Sequence, residues 1–172
     1  MNKIIKLISI VAITLLSSLS IADHKYIGLN ISSIDLVKNA SPTFDIATTN
    51  LVLGKSLSDN ISAELRYGSG IFKDTLNVSS DEISAKVKKS QGVYVKYNLP
   101  LTNGLNSYAI IGYTEATIDY ADSETSESDI STGLGINFGA IDSSSFNIEY
   151  VNFINTSNIF MHGISFGFNS TF

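Results

Sequence analysis

The stretch IFMHGISFGFNSTF, residues 159–172, divides cleanly by parity. Its even positions are Phe160, His162, Ile164, Phe166, Phe168, Ser170 and Phe172, and its odd positions are Met161, Gly163, Ser165, Gly167, Asn169 and Thr171. One side is apolar and aromatic, the other small and polar, which is the period of two expected of a strand with unlike faces. The pattern recurs upstream. Ile130, Leu134, Ile136 and Phe138 alternate with Asp129, Ser131, Gly133, Gly135 and Asn137, and Ile61, Ala63, Leu65 and Tyr67 alternate with Glu64, Arg66 and Gly68. Eight such runs span about 25–34, 46–55, 60–69, 83–98, 105–119, 129–138, 145–153 and 159–172, with no amphipathic helix and no solenoid-type repeat.

The connectors between runs differ in character. Those at 56–59, 99–104 and 140–144 are compact, those at 35–45, 70–82 and 120–128 are longer and more polar, and the one at 154–158 is short. Compact turns at one end and longer loops at the other predict an up-and-down antiparallel meander.

Alternation alone does not say which face is inside. A soluble lipocalin-like barrel turns its apolar face inward around a ligand, whereas a transmembrane barrel turns it outward to lipid. Glycine is the first discriminator: Gly28, Gly54, Gly68, Gly92, Gly133, Gly135, Gly139, Gly163 and Gly167 fall on the polar parity, with Gly112 alone on the apolar one. A crowded, tightly curved interior needs small residues, and a surface in water does not. Aromatic height is the second. Tyr97, Tyr108, Phe138, Phe146 and Phe172 are read near the compact-turn end, and Tyr67, Tyr120 and Phe160 near the long-loop end, as two rings flanking an aliphatic band. The last strand, running to Phe172, is expected to pair with the first, because an open edge in lipid leaves backbone groups unsatisfied. The expected fold class is all-β, an eight-stranded antiparallel up-and-down transmembrane β-barrel.

Composition narrows the chemistry. The chain has 172 residues, size enough for one domain, and 44% of them are apolar against 16% charged, too apolar for a disordered chain. It lacks Cys, which excludes thiolate chemistry, disulfides and Cys-ligated metals, and two His leave little for a zinc site. An excess of acids over bases gives no nucleic-acid footprint. Residues 1–22, MNKIIKLISIVAITLLSSLSIA, have the basic start, short apolar stretch and small-residue end of a secretory signal peptide cut before Asp23, leaving a barrel domain over 23–172. Its removal takes two lysines and no acid, so the formal charge goes from −5 to −7.

The segments ISAELRYG (61–68), GVYVKYNLPLTNGLNSYAIIGYT (92–114), ESDISTGLGINF (127–138), IEYVNF (148–153) and the terminal GISFGFNSTF resemble the small outer-membrane β-barrel family, the "porin family" or opacity-like barrels of OmpA and OmpX architecture. The resemblance implies a bacterial, Gram-negative outer-membrane location and both termini in the periplasm. It also implies partners in outer-membrane lipid and lipopolysaccharide, and insertion by the barrel-assembly machinery through the strand ending at Phe172. It implies no activity and no cofactor.

If the polar parity faces a lumen, Glu64, Arg66, Lys88, Lys96, Glu115 and Glu149 are the candidates for a charge network inside it. Pairing across the hairpins is expected to set Glu64 near Lys96 and Arg66, and Lys88 near Glu115. Eight strands enclose room for side chains only, which favours a salt-bridged plug over a charge-lined channel. The loops 35–45, 70–82 and 120–128 are the candidate surface for an extracellular partner. The acid-rich segment Asp119–Asp129 reads as a solvated loop, since its spacing lacks the ligand pattern of a calcium loop. Lys86, Lys88 and Lys89 are expected near the outer rim, within reach of lipid phosphates. A lipid-acting Ser–His pair is disfavoured, because Ser170 lies roughly 25 Å from His162 at ~3.3 Å per residue. The chain is expected not to be an enzyme and to hold no metal.

Overall fold

The computed structural model describes residues 25–39, 42–78, 81–102, 105–121, 123–139 and 144–172. The leader read at 1–22 and the cleavage site before Asp23 lie outside them. The strands are β1 (Lys25–Lys38), β2 (Phe44–Ser56), β3 (Ile61–Gly70), β4 (Asp74–Val78), β5 (Asp81–Thr102), β6 (Leu105–Tyr120), β7 (Ser123–Gly139), β8 (Ser144–Asn155) and β9 (Ile159–Thr171). They form one antiparallel sheet in the order β3-β2-β1-β9-β8-β7-β6-β5-β4. A further β3–β5 pairing closes eight strands into a ring and leaves β4 as a flap on β5. At the lower end, where the 57–60 turn and both chain ends of the described barrel lie, the Phe172 N–H donates to the Lys25 carbonyl at 2.9 Å.

The strands run further than alternation suggested. The connector read at 70–82 contains β4, and the acidic "loop" at 120–128 is mostly strand, with β7 paired to β6 from Ser123 and the chain reversing at Ala121 with φ 50°. Serine and threonine tolerate extended backbone, so a polar run need not be a loop. From Ser123 to Ser131 β7 pairs with β6 alone, since β8 joins it only from Thr132. The upper parts of β4 to β7 therefore rise beyond the ring as a four-stranded leaf. Where the ladders part, carboxylates replace the missing strand partner: Asp45 N–H donates to Asp74 Oδ2, and Asn155 N–H to Asp129 Oδ2, both at 3.0 Å.

The facing of the strands changes meaning along their length. On β1 the outward residues are Ile27, Leu29 and Ile31 and then Ser33 and Asp35. The inward ones are Gly28, Asn30 and Ser32 and then Ile34 and Leu36. On β8 the inward residues pass from Asn147 and Glu149 to Val151 and Phe153. The lower part is thus apolar outside and polar inside, as lipid demands, and the upper part carries an ordinary hydrophobic core. That core gathers Leu36, Phe44, Ile46, Val87, Ile118, Ile154, Ile159 and Met161, with Leu76, Ile83 and Tyr120 packed against it.

β6 faces the opposite way from the sequence reading. Its even residues, Tyr108, Ile110, Gly112, Thr114, Ala116 and Ile118, point in. This corrects two of the aromatic-ring assignments. Tyr108 is 2% exposed and lies in the lumen, and Tyr120 caps the upper core, edge-on to Phe44 at 5.5 Å with the Lys38 ammonium 4.6 Å from its ring centre. It also moves Gly112 to the inner face with the other glycines.

Candidate functional site

Three lumen tyrosines each lie flat over a glycine of the adjacent strand. Tyr26 pairs with Gly54, Tyr94 with Gly112 and Tyr108 with Gly135. A Cβ added to any of these glycines would come within 2.0–2.3 Å of the ring. Absence of a side chain on one strand is therefore what seats a large one on the next, and it sets the rings around the barrel axis.

Those rings surround a charge cluster. Glu64 and Arg66, two apart on β3, share its inner face; Lys96 comes from β5 and Glu149 from β8 across the lumen. Arg66 Nε and Nη2 donate to Glu64 Oε2 at 2.9 and 2.6 Å. Its Nη1 donates to Glu149 Oε1 and its Nη2 also to Glu149 Oε2 at 3.1 Å. Lys96 Nζ meets Glu64 Oε1 at 3.0 Å, and the Tyr26 hydroxyl donates to the same oxygen at 2.6 Å. Tyr108 donates to Glu149 Oε2 at 2.9 Å, and the Asn30 amide reaches Glu149 Oε1 at 3.4 Å. Arg66 stacks 4.7 Å from the Tyr94 ring centre and Lys96 4.5 Å from that of Tyr108. Two carboxylates and two cations cancel, and every carboxylate oxygen accepts at least two bonds. A buried charge costs little only under that condition.

The cluster divides the lumen. Above it is a cavity of about 20 Å³ lined by Asn30, Ser32, Thr48, Asn50 and Ser90 among others, and below it one of about 50 Å³ lined by Tyr26, Ser62, Lys96, Asn98, Asn137 and Asn169. By the ~10–15 Å³ a water needs, the first has room for about one water and the second for roughly three or four. Asn30 Oδ1 and Thr48 Oγ1 in the upper cavity, and Asn137 Oδ1 in the lower, are buried without a protein partner.

Of the charges assigned to the lumen, the structure brings Glu64, Arg66, Lys96 and Glu149 together and leaves two elsewhere. Lys88 stands on the outer face of the leaf beside Glu124, with Asp119 at 3.5 Å; its hydrogen bond to Glu124 raises its pKa despite slight desolvation. Glu115 is also outward, accepting from Gln91 Nε2 at 3.3 Å. They were misplaced for different reasons: a bulge at Val87/Lys89 shifts β5 by one residue and turns Lys88 out, and β6 was read on the wrong parity, which puts Glu115 outside. The aromatics Tyr97, Phe138, Phe146, Phe172 and Tyr67 face outward and exposed, and Phe160 lies half-buried, edge-on to His162 at 4.5 Å. Sequence reasoning passed over Tyr26, Tyr94 and Asn30 inside, and Phe72, Tyr113 and Tyr150 outside. The signal for the first two was present in the glycines opposite them.

Outside the lumen, His162 Nδ1 lies 3.7 Å from Asp35, and among the described residues no serine hydroxyl hydrogen bonds to it. No group of three or more His, Asp or Glu side chains that could hold a metal occurs among the described residues. The carboxylate of Asp35, sharing a hydrogen bond with Asp45, holds the Asp45 carboxyl above its usual range, with desolvation and the charges of Asp35 and Asp74 adding to the effect.

A family model described as outer membrane protein beta-barrel domain matches residues 8–172. No curated protein matches the chain by sequence. Among solved structures, Ail of Yersinia pestis, the attachment invasion locus protein crystallised with the heparin analogue sucrose octasulfate, is 12% identical with a TM-score of 0.61, covering 87% of this chain and 98% of its own. Neisserial surface protein A is 13% identical with a TM-score of 0.61, covering 86% and 97%. OprG of Pseudomonas aeruginosa is 11% identical with a TM-score of 0.55, covering 88% and 96%. At these identities the likeness is one of fold.

Proposed function

This chain belongs to the outer-membrane β-barrel family, and on that premise we propose that it is a sealed barrel with a structural and surface-interaction role. Its β4–β7 leaf is the displayed surface and its lumen carries no solute. The observation that supports this most is the stacking of two unlike seals on one axis. The Arg66 cluster crosses the lumen at the level of the lipid-facing band, and the Phe44–Ile118–Met161 core fills the mouth above it. A hydrated ion would have to break a saturated charge network and then enter an apolar core, each costly by several kcal/mol. In this reading both termini are periplasmic, the leader is removed before Asp23, and Tyr97, Phe138, Phe146, Phe172, Tyr67 and Phe160 anchor the two interfaces.

Planar-bilayer recording of the refolded mature protein tests it. The expected result is no conductance steps from wild type; stable ion-selective steps that change in Arg66→Ala would overturn the seal. Those steps would support the second reading, a small-solute channel, which the two cavities flanking the cluster favour. Surface display has its own test in protease treatment of intact cells, where cleavage within 70–82 or 120–128 is expected and full resistance would count against it. A lipid-acting enzyme would need His162, and the half-buried setting of that ring beside Asp35, Phe160 and Tyr150 supports an interfacial anchor instead.

A further inference from the structure

The outer rim of the barrel, just beyond the last outward apolar residues, carries an acidic pair and a cluster of lysines on neighbouring strands. On the β9–β1–β2 side it carries Asp35 and Asp45, directly paired across the ladder, with His162 beside Asp35. On the β3–β4–β5 side the residues are Tyr67, Ile71, Phe72, Lys73, Lys86 and Lys89. Tyr67 and Phe72 are 58% and 68% exposed, so two aromatic rings stand out from the wall here. Lys89 bends down over Tyr67, its ammonium 5.6 Å from the ring centre. Lys86 lays its stem at the side-chain-free Gly70, and continuing the Asp74–Ala85 register by one step sets Lys73 beside Lys86.

These three lysines differ from the rest of the leaf. Lys88 is held by Glu124 and Asp119, whereas among the described residues Lys73, Lys86 and Lys89 have no carboxylate within ion-pair distance. Among the described residues three cations without an ion-pair partner thus stand at one place, with Asp74 and Asp119 as neighbours in the ladder and exposed aromatic and aliphatic side chains below. That pairing of features matches one chemistry: an anionic headgroup in contact with the ammonium groups, on a molecule whose acyl chains run down the wall past Tyr67, Ile71 and Phe72.

We propose that Lys73, Lys86 and Lys89, with Tyr67, Ile71 and Phe72, form a site for a phosphorylated, acylated glycolipid of the outer leaflet, seated on one side of the barrel only. The site is independent of whether the lumen conducts and of what the leaf displays.

Native mass spectrometry of the refolded barrel, released from detergent micelles with purified diphosphoryl lipid A added, reads occupancy directly. Wild type is expected to retain lipid. Binding should weaken about fivefold on Lys89→Gln and on the order of a hundredfold when Lys73, Lys86 and Lys89 are all changed to Gln. Asp35→Asn with Asp45→Asn should leave binding equal or tighter. Heat-dependent gel migration verifies that each variant is folded, and if the triple variant fails that check the Lys89→Gln comparison decides. Retention of wild-type affinity in the lysine variants overturns the site. Equal binding of phosphatidylglycerol overturns the glycolipid assignment, and full displacement by millimolar inorganic phosphate means that a phosphate site alone is present, which overturns it as well.

Discussion

Below Ser32 the inward face of β1 carries Gly28 and Asn30 while Ile27, Leu29 and Ile31 point out; above it Ile34 and Leu36 point in while Ser33 and Asp35 point out. One strand thus serves two solvents. In the lower region lipid surrounds the wall, so burying apolar side chains inside would gain little, and cohesion comes from hydrogen bonds and ion pairs across the lumen. In the upper region water surrounds the wall, and the interior is held by the same hydrophobic burial that holds a soluble domain. The lesson is that the interior of such a barrel is the complement of whatever bathes it, level by level. The two regions should therefore fail in different ways.

The largest effect is expected in the lower region. Arg66→Ala leaves Glu64 and Glu149 buried without their shared cation and should cost about 3–5 kcal/mol, measured as a lowered urea midpoint for the barrel refolded in vesicles. A variant that unfolds like wild type would mean the cluster is hydrated and the contrast false. Slightly smaller is Ile118→Ala in the upper core, at about 2–5 kcal/mol. Here hydrogen exchange is the measurement. Amides of the leaf should exchange faster with those of the lower strands unchanged, and acceleration throughout would merge the regions into one cooperative unit. Gly135→Val drives a side chain into the Tyr108 ring and should cost roughly 1–3 kcal/mol by the same urea titration. Replacing Tyr108 by Leu in that background should restore part of the loss, because the obstructed ring is gone.

The smallest effect concerns the acidic seam. Because Asp35 holds the Asp45 carboxyl above its usual range, the folded state binds that proton more tightly than the unfolded state. This contribution therefore favours folding below the unfolded carboxylate pKa and is lost as pH rises through the folded one. In Asp45→Asn, exchange at the top of β2 should become flatter with pH across the acidic range and slightly slower at neutral pH. An unchanged pH profile would mean the two carboxylates do not interact in solution.

Strand number, closure and the outward face of most strands were legible because the lower region obeys a strict alternation. β6 was not, because Tyr108, Ile110 and Ile118 on one parity face Ala109, Ile111 and Tyr113 on the other, so alternation carries no sign there. Only Gly112 broke the tie, and its apparent exception to the glycine rule was the clue that the parity was inverted. The upper core was missed for a different reason. A single polarity was assigned to each face from end to end, although the switch from Ser32 to Ile34 and from Glu149 to Val151 is written in the chain. Of the cluster, Glu64, Arg66, Lys96 and Glu149 were readable as inward charges; their tyrosine shell needed the cross-strand register, which a sequence does not print.

The ladder between β1 and β9 joins Tyr26 to Thr171 and Lys38 to Ile159. Every partner in it is separated by well over a hundred residues of intervening chain, the slowest kind of contact to make. The ring is therefore a clock as well as a wall. However early the inner hairpins zip, the vessel stays open along one side until the final strand arrives, and throughout that interval the rows of isoleucine and phenylalanine meant for lipid are exposed to self-association. The time spent waiting, more than the strength of the finished barrel, should govern how much of the polypeptide reaches the membrane. Weakening β9 should first appear as a delay in closure.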